Sequence, residues 1–175
     1  MTDLRSHLRT VPDFPAPGIL FFDITTLLQD ADCLKEIEER LYQTYKDKGI
    51  TKVVGLESRG FVMGAALAAR LGAGFVMARK MGKLPAEKVS ETYAKEYGHD
   101  TIEIHAGAIT PDDVVLIHDD LLATGGTVAA AWRLVRKFGP RKILFSFILN
   151  ITDCPRLEVF PQDVETSAVL DVQEK

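Results

Sequence analysis

A chain of 175 residues suits one domain with a single sizeable core, and hydrophobic residues at 46% with charged ones at 26% exclude a disordered or fibrous protein. The formal net charge of −4 argues against a nucleic-acid backbone as the main partner, because such partners demand a basic face. Cys33 and Cys154 lie far apart with no metal-ligand spacing around them. No signal-peptide core or membrane-length apolar run occurs, so a cytoplasmic protein with reduced thiols is expected.

In chain order, Thr2 caps a short helix that carries Leu4 and Leu8 on one face and closes at Pro12. Phe14 to Thr25, F-P-A-P-G-I-L-F-F-D-I-T, sets a rigid turn before an apolar group, Ile19 to Phe22, which by composition is a core strand. Leu34, Ile37, Leu41 and Tyr45 repeat at helical spacing behind Asp32, with Gly49 past the end. Lys52 to Glu57 reads as a buried strand, S-R-G-F as a polar turn, and Val62 to Leu71 as an Ala-rich helix ending at Gly72. Phe75 to Arg79 is a third strand, and Arg79, Lys80 and Lys83 follow within five positions. Glu87 to His105 alternates partially around Tyr97 and Gly98, the pattern of a twisted hairpin too polar for a core.

Val114 to Thr127, V-V-L-I-H-D-D-L-L-A-T-G-G-T, organises the rest. A buried parallel strand emerges into Asp119 and Asp120, and two glycines between threonines precede an amphipathic helix that carries Val128, Ala131, Trp132, Val135 and Phe138 on its apolar face. Arg133, Arg136 and Lys137 fall on the other face, and Gly139 and Pro140 stop the helix. Open α/β sheets bind ligands at such strand ends, and the unpaired N–H groups of the following helix favour phosphate. The carboxylates next door suit hydroxyls or a metal, so a sugar phosphate meets both demands. Because parallel strands place their turns along one edge, Ser58 and Arg59 fall beside the acidic pair, where a guanidinium can take a second phosphate. Lys142 to Asn150 is the next buried strand, Val164 to Leu170 a last short one, and the charged tail frays. His7, His99, His105 and His118 form no zinc-ligand pair, and His118 is expected as a satisfied core histidine.

D-D-L-L-A-T-G-G-T closely resembles the phosphoribosyl-diphosphate motif of type I phosphoribosyltransferases, in the wording of the adenine-specific members. E-S-R-G-F resembles that family's pyrophosphate loop, with a non-proline cis peptide implied near Glu57 and Ser58. R-K-M-G-K-L-P resembles its diphosphate-side segment, and the Glu87 to His105 stretch its flexible lid. The resemblance implies an α/β fold with a central, mostly parallel sheet flanked by helices. One domain over 1–175 carries a small N-terminal hood at about 1–30 and a flap at about 82–105.

The implied reaction forms AMP and pyrophosphate from adenine and 5-phosphoribosyl 1-diphosphate in purine salvage. By resemblance, Ala123, Thr124, Gly125, Gly126 and Thr127 hold the 5-phosphate, while Glu57, Ser58, Arg59, Arg79, Lys80, Lys83 and Tyr97 face the pyrophosphate. Leu20, Phe22 and Ile151 face adenine, and Asp119, Asp120 and Glu96 are the catalytic candidates. Many relatives carry a basic residue where Phe22 stands, which leaves recognition there to the backbone. Mg²⁺ is the implied cofactor, held mainly by the substrate and not by a protein cage. A homodimer with no nucleic-acid or membrane partner is also implied. A phosphoribosyltransferase for another base is the nearer alternative. A non-enzymatic regulator that senses the sugar diphosphate is the farther one.

Overall fold

A computed structural model of the chain describes residues 2–94, 98–157 and 159–174. Five parallel strands form its centre: β3 (Lys52–Leu56), β4 (Gly74–Lys80), β7 (Val114–Leu122), β8 (Lys142–Ile151) and β9 (Thr166–Val172). An antiparallel hairpin, β5 (Lys88–Ala94) and β6 (His99–His105), extends the sheet to give the order β5-β6-β4-β3-β7-β8-β9. The pleat of β7 sends Val114 and Leu116 to one core and Val115 and Ile117 to the other, so the strand must be apolar on both faces.

Two helices, α3 (Ala31–Tyr45) and α4 (Gly60–Leu71), close the first core, and α5 (Gly126–Arg136) closes the second. Asp30 caps α3 by accepting from the Cys33 amide at 2.8 Å, two residues ahead of Asp32. Gly72 ends α4 with φ +68°, which a side chain would resist. Glycines also set how closely α4 lies on the sheet. A Cβ at Gly60 would meet the His118 carbonyl oxygen at 2.7 Å.

The N-terminal region differs from the expectation. Asp3, not Thr2, caps a helix limited to α1 (Leu4–His7). Arg9 to Pro12 is a strand, β1, paired antiparallel with β2 (Leu20–Asp23). Strand pairing with a distant segment overrides the helical spacing of Leu4 and Leu8. The two form a separate small sheet, so Ile19 to Phe22 does not join the main one. A short helix, α2 (Thr25–Gln29), connects β2 to α3.

The hairpin is likewise less polar than its sequence suggests. Tyr93, Ile102 and Ile104 are buried, and β6 pairs with β4 through Arg79–Glu103 and Lys80–Ile102. Glu91 of β5 is paired to Arg133 of α5 (2.6 Å) and to Lys137 at its C-cap (2.8 Å), so part of the helix's basic face is tied to the hairpin, while Arg136 and Lys137 stay exposed. Trp132 is only half-buried, with the Arg136 guanidinium 4.6 Å from its ring centroid, and Ala129, Ala130 and Leu134 fill the core instead. The C-terminal segment is tied down through Glu174 N–H, which donates to Asp153 at 3.0 Å. Among the described residues no helix is long and apolar enough to cross a membrane.

Candidate active site

Three parallel strands end on the same edge, and each delivers part of one site. From β3 the chain passes a cis peptide at Glu57–Ser58 into Arg59 and the start of α4. From β4 it passes Arg79 and Lys80, and from β7 Asp119, Asp120 and the Gly/Thr turn. Glu57, Ser58, Arg59, Lys80, Lys83, Tyr93, Asp100, Asp119, Asp120 and Thr127 line a cavity of about 500 Å³. A smaller cavity of about 110 Å³ adjoins it, lined by Asp119, Leu121 and Ala123 to Val128. Asp119 and Thr127 belong to both walls.

The small cavity is a cup of backbone amides. The Ala129 N–H to Gly125 O bond, 2.9 Å, is the first inside α5, so the amides of Gly126, Thr127 and Val128 precede any possible acceptor in the helix. With the helix dipole behind them they favour an anion. Gly125 makes the turn at φ +82°, and a Cβ there would lie 2.5 Å from the Phe160 ring. Both the left-handed backbone and the ring demand glycine.

Next to the cup the acidic pair is held at odds with water. Asp120 is buried and Asp119 opens only onto the two cavities. Burial, and for Asp119 also repulsion from Asp120, push both carboxyls above the usual carboxylate range. Asp120 Oδ2 accepts no well-directed hydrogen bond among the described residues, although Arg59 Nε lies 2.9 Å from it. Arg59 is nearly half exposed and also lies over the Phe21 ring at 5.8 Å.

Glu57 gathers the basic residues. It accepts from the Lys80 amide at 2.9 Å, pairs with Arg79 Nε at 3.3 Å, and pairs with Lys83 Nζ. Burial raises its pKa, but these partners outweigh it and hold the carboxyl at about 2. Arg79 and Lys83 are thus engaged by Glu57, and Lys80 Nζ lies 3.7 Å from Asp100.

The expected adenine-side residues lie apart from the charged cavity. Phe22 is 6% exposed and its ring packs in the first core, as does Ile151 at 3%, with Leu20, Leu121 and Ala123 around them. The Phe22 side chain therefore offers no stacking face, since its position on β2 points it inward. Phe21, on the opposite face, was not singled out from the sequence. Its ring meets Phe14 edge-on at 5.1 Å and faces Arg59. The alternation of β2 was the signal available: Phe22 inward requires Phe21 outward. Glu96 and Tyr97 lie outside the described residues. His118 donates to or accepts from Ser146 Oγ at 3.0 Å through Nδ1, but its Nε2 has no partner among the described residues. Burial lowers its pKa to about 4, so the ring is neutral.

Residues 23–156 match the family model of the phosphoribosyl transferase domain. The adenine phosphoribosyltransferase of Phocaeicola vulgatus is 63% identical over 95% of this chain and 96% of its own, and that of Bacteroides thetaiotaomicron is 57% identical over 95% of each. Among solved structures, adenine phosphoribosyltransferase from Rhodothermus marinus superposes with a TM-score of 0.88 at 47% identity, covering 97% of this chain and 96% of that one. The Giardia lamblia enzyme, complexed with 9-deazaadenine, gives 0.90 at 39% identity over 97% and 96%. A mostly parallel sheet that ends in an amide cup and an acidic pair is thus joined to a sequence likeness spanning nearly the whole length, and the chain belongs to the adenine phosphoribosyltransferases, pentosyltransferases of the phosphoribosyl transferase family.

Proposed function

We propose that the two cavities hold 5-phosphoribosyl 1-diphosphate and that the chain converts it with adenine to AMP and pyrophosphate, in purine salvage. One observation carries the reading: a cup lined by the first amides of α5, which precede any acceptor within the helix, shares Asp119 with a cavity containing Arg59, Lys80 and Lys83. A ligand with a monophosphate at one end and a diphosphate at the other, joined by a ribose, spans both.

In this reading Ala123, Thr124, Gly125, Gly126 and Thr127 fix the 5-phosphate and so immobilise the sugar for in-line attack at C1. Asp119 and Asp120 accept from the ribose hydroxyls and favour the cationic ring that develops as the C1–O bond breaks, an effect of ~3 kcal/mol for preorganised groups. Arg59, Lys80 and the Ser58 turn receive the departing pyrophosphate, with Arg79 and Lys83 held in reach by Glu57. Main-chain groups of Leu20 and Phe22 on β2 address the base, Phe21 supplies the ring to stack on it, and Ile151 backs the slot. Glu96 moves a proton at the purine imidazole ring, and Tyr97 arrives with it on the flap, which excludes water. Glu96→Gln tests that role: turnover should fall at saturating substrates with donor affinity intact, and unchanged turnover would remove Glu96 from the mechanism.

The donor set fits Mg²⁺. Two carboxylates supply hard oxygens at the cavity wall, one of them an oxygen with no directed hydrogen bond among the described residues. Asp119 and Asp120 would hold the ion together with donor oxygens, and it would screen the diphosphate charge. Among the described residues, the group of three or more potential ligands close enough to share an ion is His7, Asp30 and Cys33, none of which lines either cavity.

We further read residues 1–175 as one domain with a hood at about 1–30 and a flap at about 82–105, working as a homodimer in the cytoplasm. The deciding experiment follows nucleotide formation from purified protein, Mg²⁺ and donor with adenine, hypoxanthine, guanine or orotate. Adenine alone should react well. Preference for another base would move the chain to that specificity, and donor binding without any nucleotide would make it a sensor.

A further inference from the structure

Between β8 and β9 the chain crosses the outer wall of the amide cup and grips it at successive residues. Arg156 Nη1 lies within hydrogen-bonding reach of the Ala123 carbonyl, of Ile151 O at 3.1 Å and of Cys154 O at 3.0 Å, while Nη2 donates to Asn150 Oδ1. The Leu157 N–H donates to Thr124 O at 2.9 Å. The Phe160 ring and the Leu157 side chain then lie against Gly125 and Gly126.

Both gripped carbonyls belong to peptide groups whose N–H ends are on Thr124 and Gly125, two residues that line the cup. Ala123 C=O shares its conjugated unit with the Thr124 N–H, and Thr124 C=O shares one with the Gly125 N–H. A donor on the oxygen polarises the unit and strengthens the N–H on the far side. The hydrogen-bond partners of Arg156 among the described residues are all uncharged oxygens. Asn150 in turn donates to Asp171 at 2.7 Å, which fixes the amide's orientation toward the guanidinium.

We infer that Arg156 is a positioning residue for the 5-phosphate. It holds the Ala123 carbonyl, as the neighbouring Leu157 N–H holds that of Thr124, and so polarises the first amide of the turn from behind. The inference rests on reading Ala123 to Thr127 as the phosphate site. It also predicts that the two ends of the donor respond differently to changes at Arg156, because only one lies on the gripped turn.

The test measures ribose 5-phosphate and inorganic pyrophosphate separately against wild type, Arg156→Ala and Arg156→Lys. Arg156→Ala should weaken ribose 5-phosphate about tenfold, the scale of a lost bond to a charged group, and leave pyrophosphate within twofold. The KM for the donor should rise while that for adenine holds. Arg156→Lys keeps the charge but cannot reach four oxygens at once, so it should fall between the two. If Arg156→Ala fails to fold, Arg156→Lys decides alone, with the Thr124 amide proton resonance moving upfield while those of other turns stay fixed. Equal weakening of both probes, or full retention of ribose 5-phosphate affinity, would overturn the inference. A wild-type protein that binds no ribose 5-phosphate would instead remove the phosphate reading beneath it.

Discussion

Gly125→Ala puts the architecture of the cup to a quantitative test. The added methyl meets two independent obstacles. The backbone at φ +82° disfavours any L side chain by ~1–2 kcal/mol. The new Cβ would also lie 2.5 Å from Phe160 Cδ2 and 3.1 Å from Cγ, inside a ring that is 7% exposed and packed 5.7 Å from Phe145. A ring so confined cannot swing away freely, and overpacking of this kind costs ~1–3 kcal/mol. The single substitution should therefore destabilise the fold by roughly 2–5 kcal/mol, the sum of the two contributions.

A double-mutant cycle separates them. Phe160→Ala alone should lose ~3–5 kcal/mol through its cavity. In its background Gly125→Ala should lose only the backbone share, so the pair should be coupled by ~1–3 kcal/mol. Trp132, the single tryptophan, lies on α5 just past the turn and reports urea unfolding by fluorescence at one fixed protein concentration. Additivity within ~0.5 kcal/mol would refute the steric argument and leave only the dihedral one. A fully stable Gly125→Ala would refute both.

Asp119→Asn should raise the unfolding midpoint at pH 8 while lowering turnover about a hundredfold. Its folded pKa lies above the ordinary 3.8, so whatever stability it contributes is present below that pH and is lost as pH rises through the elevated value. Donor binding with Mg²⁺ should release protons, because a cation and ribose hydroxyls favour the ionised pair. Calorimetry in buffers of different ionisation heat should show this, and the effect should vanish in Asp119→Asn. Glu57→Gln should destabilise on the order of 1 kcal/mol at neutral pH, since its partners are partly exposed. With a folded pKa of about 2 and an ordinary one of 4.5, that difference should be complete above pH 4.5 and gone below pH 2. Glu91→Gln should speed amide exchange along Lys88–Ala94, because Arg133 and Lys137 then lose the carboxylate that fastens the hairpin to α5.

The sequence disclosed most where one residue's environment follows from its neighbours. β7 had to be buried on both faces, the Gly/Thr turn had to precede a helix, and parallel order brought Arg59 to 2.9 Å from Asp120. It disclosed least where distant segments decide. Thr10 and Val11 join a strand because Phe21 and Phe22 lie opposite them, which local helical spacing cannot register. Glu103 belongs to a hairpin whose sequence reads as too polar for a core. It is buried because Gly82 N–H and Ser90 Oγ, on two other segments, donate to it. Arg156 escaped notice for the same reason, since its acceptors on Ala123, Ile151 and Cys154 are main-chain carbonyl oxygens, present under any side chain.

Charge balance explains why acids and bases crowd the larger cavity. Its wall carries three cations, Arg59, Lys80 and Lys83, against four carboxyl groups, Glu57, Asp100, Asp119 and Asp120. Such a wall does not attract a diphosphate by net charge; it holds each cation in place by an acid until a stronger anion arrives. Arg59 is the member with most to exchange, because its carboxylate partner is the most buried of the three, 5% exposed against 19% for that of Lys80 and 9% for that of Lys83. In the proposed function, the turning of Arg59 to the diphosphate would leave Asp120 without its cation just as the sugar needs a negative neighbour. Arg59→Ala should then affect both ends of the reaction, weakening pyrophosphate and also raising the Asp120 pKa further, since the Arg59 charge is the largest of the influences that lower it. A pH–rate profile whose acidic limb moves upward in Arg59→Ala supports this exchange, and an unmoved limb refutes it.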